Sequence, residues 1–159
     1  MATPAVEPAT MNRRFIAYLL DGLLLTAVAL FVVGTIVPGF GTASDAFARV
    51  AIIGAVGLAY FGLSWTQLGG SPFQRLLGVR TLNAADGALL TPSQALWRWA
   101  YLYGPGVLTS AVSVLPGASA VSFLSLIWAY YLYRTVSRDP QRRGFHDHKT
   151  GTIVVRSPS

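Results

Sequence analysis

A single carboxylate lies inside the first long apolar segment of this chain. Asp21 is the only charged residue of the run Phe15–Val37. An unpaired carboxylate is costly in hydrocarbon, so we expect Asp21 to face protein or water and to have a partner. In a low-dielectric site it could bind a cation or take up and release a proton. The alternative is a structural ion pair with an arginine, which would hold helices together and stay ionised.

Two arginines are candidate partners for Asp21. Seven residues turn a helix through nearly two turns, so Arg14, Ala17 and Asp21 share one helix face over about 10 Å. Direct contact between Arg14 and Asp21 would need a long reach. Arg98, near the start of the third apolar segment, is therefore the better partner across helices. We favour a structural network over an ion or proton site.

A second acidic candidate stands in the polar tail, where Asp147 lies between His146 and His148. Imidazole and carboxylate are common metal ligands. On an extended segment, however, the two histidines would share one face and Asp147 the other, and the chain has no further histidine and no cysteine. We therefore expect no metal and no cofactor. Asp147 is better interpreted as part of an ionic cluster at the membrane surface. The donors that it could accept from are a backbone cap and the side chains of Arg98, Arg142 and Arg143.

The composition is that of a membrane protein. The chain has 159 residues, of which 53% are hydrophobic and 11% charged, with a mean hydropathy of +0.51. This is too apolar for an ordinary soluble domain and fits a single membrane bundle. The lack of cysteine excludes disulfides, zinc thiolate sites and cysteine nucleophiles. No phosphate-binding loop, nucleophile elbow or paired catalytic carboxylates are present, so we expect no enzyme.

The apolar segments predict an all-α membrane protein, a four-helix transmembrane bundle with a small cytoplasmic β element. The predicted spans are about 14–37, 48–68, 95–115 and 118–134. Gly54 and Gly57 in the second span predict close helix packing. Gly104-Pro105-Gly106 must bend or break the third helix, so 95–134 could be two full spans or a re-entrant hairpin.

The segment before the first span is predicted to be a disordered tail, residues 1–12. A signal peptide is the alternative, because Arg13 and Arg14 precede the apolar run. That run is long for a signal core and Asp21 interrupts it, so we favour an uncleaved span.

The polar segments predict a cytoplasmic loop, 69–92, and a cytoplasmic tail, 135–159. In the loop, Phe73–Val79 predicts a short interfacial helix, and Gly78–Leu82 with Ala88–Leu90 predicts two short strands joined by a turn. Thr91-Pro92 predicts a helix start, with threonine as the cap. In the tail we expect a strand at Gly151–Val155 that pairs with Val79–Leu82.

The distribution of basic residues predicts the orientation. With four spans and both termini cytoplasmic, Arg49 alone would lie outside, and the other eleven basic residues would lie inside. These eleven are Arg13, Arg14, Arg75, Arg80, Arg98, Arg134, Arg138, Arg142, Arg143, Lys149 and Arg156. We expect a multi-pass protein of the bacterial inner membrane. Its net charge of +6 then serves anionic lipid headgroups rather than nucleic acid.

Three motifs in order resemble the RDD family of small membrane proteins, named for one arginine and two aspartates. The first runs from Arg14 to Asp21, the second from Gly70 to Arg80 and on to Asp86-Gly87 and Arg98, and the third from Arg143 to Val155. The resemblance covers about residues 13–156, a single transmembrane domain, and suggests Asp147 as the second aspartate. The family's central loop often carries Thr-Pro-Gly-Lys, where this chain has Ser71-Pro72-Phe73-Gln74. Transport of unidentified ligands has been proposed for the family, and some members are linked to sodium/proton exchange.

Two functions follow from these observations. A chain of this length has little room for its own translocation path, and its glycine-rich helix faces suit packing against partners. We therefore expect an accessory or assembly subunit that associates with other membrane subunits or with itself. The alternative is a small ion or solute transporter that uses Asp21. The candidate site, as an ion-pair or ion-binding cluster, comprises Arg14, Asp21, Arg98 and Asp147.

Overall fold

The chain folds into helices and one small antiparallel sheet. The structure, a computed structural model, describes residues 7–36 and 42–157, except for the side chain of Ala43. The helices are α1 (Met11–Ile36), α2 (Ala43–Leu63), α3 (Pro72–Leu76), α4 (Pro92–Val112), α5 (Phe123–Arg138) and α6 (Phe145–Thr150). The strands are β1 (Val79–Asn83) and β2 (Thr152–Arg156). A π-helical turn, Ser64–Leu68, extends α2, and a 3₁₀ turn, Ser119–Ser122, precedes α5.

Two helices are long and apolar enough to cross a membrane. They are Met11–Ile36 and Ser44–Leu68, and only about a fifth of each apolar stretch is buried inside the protein. Large side chains such as Leu30 and Phe31 face outward. An outward surface of this kind is costly in water, so these two helices indicate a membrane protein. The described residues contain no third helix that meets the same length and hydropathy criteria.

The predicted start of α4 is confirmed, and its N-terminus carries a capping box. The side chain of Thr91 accepts the Gln94 N–H at 3.2 Å, and the side chain of Gln94 accepts the Thr91 N–H at 3.0 Å. Pro92 occupies the first helical position, where its missing N–H costs nothing. Two of the otherwise unpaired donors at the helix start are thereby satisfied.

The prediction that Gly104-Pro105-Gly106 bends or breaks the third helix is wrong in its stronger form, since α4 continues through Pro105 to Val112. Proline removes the N–H that would bond to the carbonyl four residues earlier, which here is Tyr101 O. The indole Nε1–H of Trp128 donates to that carbonyl at 2.9 Å. A side chain from α5 thus supplies the hydrogen bond that Pro105 cannot.

The helices in the second half of the chain differ from the predicted spans 95–115 and 118–134. Helix α4 ends at Val112, and α5 begins only at Phe123, after a turn in which Gly117 has φ +78°. At 1.5 Å per residue, the 16 residues of α5 extend about 24 Å, less than the thickness of a bilayer core.

Helices α4 and α2 pack closely at Gly57, where an added methyl group would lie 3.4 Å from Trp99 Nε1.

The predicted pairing between the central loop and the tail is confirmed. Strands β1 and β2 are antiparallel, with Val79 opposite Arg156 and Asn83 opposite Thr152. The predicted second loop strand, Ala88–Leu90, is wrong. Among the described residues, its backbone bond to β1 closes a turn, from the Asn83 N–H to Ala88 O at 2.9 Å. Further along the same edge of β1, Gly69 O accepts the Thr81 N–H at 2.8 Å, so Gly69 takes the place where a second loop strand would pair.

The predicted disordered tail, residues 1–12, does not hold for residues 7–12. The Ala9 N–H donates to Val154 O at 3.1 Å, and the Arg156 N–H donates to Glu7 O at 2.9 Å. These residues thus cover the second edge of β2, and α1 begins at Met11. Residues 1–6 lie outside the described part of the chain. The small sheet therefore joins the start of the chain, the central loop and the tail.

The contact between Trp128 and Tyr101 O predicts that the effects of changing Trp128 and Pro105 on stability are coupled. We expect Trp128→Phe to lower the free energy of unfolding by about 1 kcal/mol, because a partly buried carbonyl loses its donor. In a Pro105→Ala background the alanine N–H can bond to Tyr101 O, so the same change should cost clearly less. Thermal unfolding of the four variants in detergent measures this cycle. An equal cost in both backgrounds would show that the indole does not replace the missing bond.

Candidate functional site

Asp147 lies at the centre of a buried ionic cluster at one end of the helices. Its side chain has no exposed surface. One carboxylate oxygen, Oδ2, accepts the Gly144 N–H at 2.8 Å, so that Asp147 caps its own helix α6. The other oxygen, Oδ1, accepts hydrogen bonds from Arg98 Nη1 and from the Thr152 hydroxyl. We call Asp147, Arg98, Thr152 and Arg14 the Asp147 cluster.

Arg98 is the main cationic partner of Asp147. It lies in the second turn of α4, is almost fully buried, and also donates from Nη1 to Thr152 Oγ1 at 2.5 Å. Its guanidinium carbon lies 5.2 Å from the ring centroid of Trp65, which offers its π-face to the charge. The Nε of Arg98 has no hydrogen-bond acceptor among the described residues, and the contact with the ring partly compensates for that.

Arg14 reaches the same cluster from the first turn of α1. Its Nη1 lies 3.8 Å from Asp147 Oδ2 and donates to Arg142 O at 2.7 Å. Its Nη2 donates to Val154 O in β2 at 2.7 Å. Arg14 therefore binds backbone of the tail more closely than it binds the carboxylate. The cluster joins α1, α4, α6 and β2 at one point.

The environment of Asp147 keeps its carboxylate ionised. Burial alone would raise the pKa of Asp147, but the charge of Arg98, together with the Arg98 and Gly144 hydrogen bonds, outweighs burial and holds this pKa well below its usual value. The neighbouring His146 behaves differently. Burial lowers the pKa of His146 to about 4, although Asp147, 3.4 Å away, opposes that shift. The ring is therefore neutral at neutral pH.

Asp21 forms a second, separate cluster. Its carboxylate accepts the Tyr60 hydroxyl at 2.6 Å, the Ser71 hydroxyl, and the Phe73 N–H at 3.4 Å. Only 1% of Asp21 is exposed. We call Asp21, Tyr60 and Ser71 the Asp21 cluster. Because Ser71 is also the N-cap of α3, Asp21 fixes the start of that short helix.

Of the four predicted site residues, the structure brings three together. Arg14, Arg98 and Asp147 meet, and of the donors predicted for Asp147 the structure shows Arg98 and a backbone cap. The side chains of Arg142 and Arg143 donate to backbone oxygens instead. The pairing expected between Asp21 and an arginine is wrong, since within residues 7–36 and 42–157 Asp21 bonds only to neutral donors. Helical periodicity gave the face of Asp21 correctly, but it could not reveal which residue of another helix faces it.

The expectation of an extended segment around Asp147 is also wrong, because residues 145–150 form α6. A carboxylate three residues after a glycine is a helix-start signal, and that signal was available in the sequence. In the same way Ser71 and Gln74 have the spacing of a capping box. No sequence signal pointed to Tyr60. In the described part of the chain, no group of three or more His, Asp or Glu side chains could hold a metal ion.

Most of the chain matches the model of a known family. A model of the RDD family matches residues 8–151, which is most of the chain. The chain belongs to the RDD family. Together with the apolar helices α1 and α2, this membership indicates a membrane protein of RDD type. A search of curated proteins finds no match to this RDD protein, and a search of solved structures finds none either.

The buried carboxylate of this RDD protein predicts a large effect of neutralisation. We expect Asp147→Asn to lower the free energy of unfolding by about 3–5 kcal/mol, because Arg98 would remain buried without its anion. The matched control is Asp86→Asn in an exposed turn, which should change that free energy by less than about 1 kcal/mol. Titration with a denaturing detergent in mixed micelles measures both. Similar effects of the two changes would contradict the role assigned to Asp147.

His146 predicts how stability depends on pH. Between its unfolded pKa of about 6.5 and its folded pKa of about 4, the unfolded chain binds a proton that the native chain does not. Stability should therefore fall as the pH drops through this window, by about 3 kcal/mol. Replacement by glutamine, His146→Gln, should remove this loss, and His148→Gln at the exposed neighbour should retain it. An unchanged pH profile in His146→Gln would contradict the assignment.

Proposed function

We propose that this RDD-family protein is a non-catalytic, multi-pass protein of the bacterial inner membrane, an accessory or assembly subunit of a larger membrane complex. The observation that carries the proposal is that the chain's own donors occupy both buried carboxylates. Asp147 is bonded by Arg98, Thr152 and the Gly144 N–H, and Asp21 by Tyr60, Ser71 and the Phe73 N–H. A buried carboxylate that is bonded by the chain's own donors stabilises the fold, whereas an ion pathway needs a carboxylate that an ion can reach.

A chain of contacts connects the two clusters. Gln74 accepts the Ser71 N–H at 3.0 Å and the Trp65 indole N–H at 3.4 Å. The ring of Trp65 in turn faces Arg98. The Asp21 cluster and the Asp147 cluster are thus linked through side chains of α3 and of the end of α2. This continuity supports a rigid arrangement of the helix ends on one side of the protein.

The same contacts support a topology in which both ends of the chain and the central loop lie on one side of the membrane, with 95–134 as two full spans or as a re-entrant hairpin. Residues 7–9 precede α1, β1 lies between α2 and α4, and β2 follows α5, yet β2 hydrogen-bonds to both of the other segments. The chain must therefore return to one side after α1 and α2, and again after α4 and α5. An even number of crossings in each half satisfies this, and the excess of basic residues on that side favours the cytoplasm.

The outer surface supports contact with other membrane subunits. Helix α5 presents Phe123, Leu126 and Tyr130 outward, each about two thirds exposed. On α4, no described residue lies within 4 Å of the space that a methyl group would take at Gly104 or Gly106. Lipid or a partner helix can fill these positions. A partner helix can approach the backbone of α4 most closely at a glycine, which has no side chain.

Transport through Asp21 is the second candidate, and one observation favours it. The described residues give Asp21 two hydroxyl donors, Tyr60 and Ser71, but no cationic partner. A carboxylate surrounded by hydroxyl groups could coordinate a small cation or exchange a proton. The burial of Asp21 would then require an opening motion at α3, because the Ser71 cap covers it.

One experiment separates the two candidates. The tagged protein is extracted from its own membranes in a mild detergent, its stable partners are quantified, and the purified chain is tested for sodium and proton flux in liposomes. We expect a stoichiometric membrane partner and no flux above protein-free liposomes. A homo-oligomer with flux that Asp21→Asn abolishes, and that the exposed control Asp86→Asn retains, would contradict the accessory role and support transport.

A further inference from the structure

A basic cavity lies between α3 and β1, beside the end of α2. Its volume is about 410 Å³, and its lining includes the side chains of Arg75 and Arg80 together with Leu68 and Leu76. At about 30 Å³ per water molecule, it holds on the order of a dozen waters, more than a single ion needs. We propose that this cavity binds the headgroup of an anionic phospholipid of the cytoplasmic leaflet.

The described residues do not neutralise the charges of the cavity. Arg75 and Arg80 are both exposed, and in the described part of the chain neither side chain has a hydrogen bond or an ion pair with another residue. No acidic side chain is among the residues that line the cavity. Arginine binds phosphate oxygens in a bidentate manner, and two arginines that face one space form a strong site for a phosphodiester.

Local structure holds both arginines in place. Arg75 lies in the last turn of α3, whose start is fixed by the Ser71 and Gln74 capping box and by the bond from Ser71 to Asp21. Arg80 lies on β1 between two fully buried residues, Val79 and Thr81, so strand alternation turns it outward. The backbone at both arginines is therefore fixed, and both side chains line the same cavity.

The apolar part of the lining favours a lipid over free phosphate. Leu68 ends the second apolar helix, where a membrane-spanning segment would leave the hydrocarbon. Leu76 is 75% exposed on the short helix α3. A site with guanidinium groups on one part and exposed leucines on another fits a headgroup with the first carbons of its acyl chains. Inorganic phosphate would leave the leucines in water.

This inference rests on the proposed cytoplasmic placement of the loop 69–92, and it holds for an accessory subunit and for a transporter alike. Lipid binding is measured on the isolated protein, without any partner and without flux. A failure to bind lipid would therefore leave the partner experiment unaffected. The absence of a partner would equally leave the cavity and its lipid in place.

The test is native mass spectrometry of the purified full-length protein in detergent, titrated with phosphatidylglycerol or with phosphatidylcholine. The variant Arg75→Gln/Arg80→Gln is compared with Arg138→Gln, an exposed arginine at the end of α5 that lies outside the cavity lining. Each arginine near anionic lipid contributes about fivefold to affinity, so we expect the double variant to bind phosphatidylglycerol roughly 25-fold more weakly. Arg138→Gln should lose no more than a few-fold.

The outcomes are distinct. Selective loss of phosphatidylglycerol in the double variant, with phosphatidylcholine weak throughout, supports the site. Equal loss in Arg138→Gln, or no loss in the double variant, overturns it. Displacement of phosphatidylglycerol by millimolar inorganic phosphate would overturn the choice of a lipid. The thermal midpoint of each variant without lipid is recorded alongside, and because both side chains are exposed we expect it to stay unchanged.

Discussion

The bond between the buried carboxylate of Asp147 and the guanidinium of Arg98 is the interaction on which the other parts of the structure depend. A buried charge is stable only with a close partner and with its remaining hydrogen-bonding capacity satisfied. Here Arg98 comes from α4, the Gly144 N–H from the start of α6, and the Thr152 hydroxyl from β2. One side chain therefore determines where the tail lies against the helices, and β2 then orders β1 and residues 7–9.

The Asp21 cluster repeats this arrangement with neutral donors. Asp21 holds the cap of α3 through Ser71, and α3 carries Arg75 to the basic cavity. The same carboxylate that suggests ion binding therefore has a clear structural use. If transport occurs, it must break the bond from Ser71 and move α3, which would also disturb the cavity. Lipid at that cavity would then affect the exposure of Asp21.

Much of this fold could be predicted from the sequence, for identifiable physical reasons. Apolar length predicted α1 and α2, the Thr91-Pro92 signal predicted the start of α4, and β-branched residues near the chain end predicted β2 opposite β1. Arg98 is one of the donors that the sequence predicts for Asp147, alongside a backbone cap, Arg142 and Arg143, but the buried-charge argument assigned Arg98 to Asp21 instead. The partners of Asp21 were not predicted, because a hydroxyl such as that of Tyr60 leaves no charge pattern in the sequence. Where α4 continues through Pro105, Trp128 donates to the carbonyl of Tyr101, a contact that local sequence cannot reveal.

Hydrogen exchange at the backbone amides of β2 tests the central claim most directly. If Arg98 and Asp147 hold the tail against the helices, Arg98→Gln should speed exchange throughout β1 and β2 by on the order of a hundredfold, while the middle of α1 stays protected. Arg138→Gln, an exposed arginine of α5, should leave the exchange of β2 unchanged. Protection of β2 in Arg98→Gln equal to that of the unmodified protein would contradict the account.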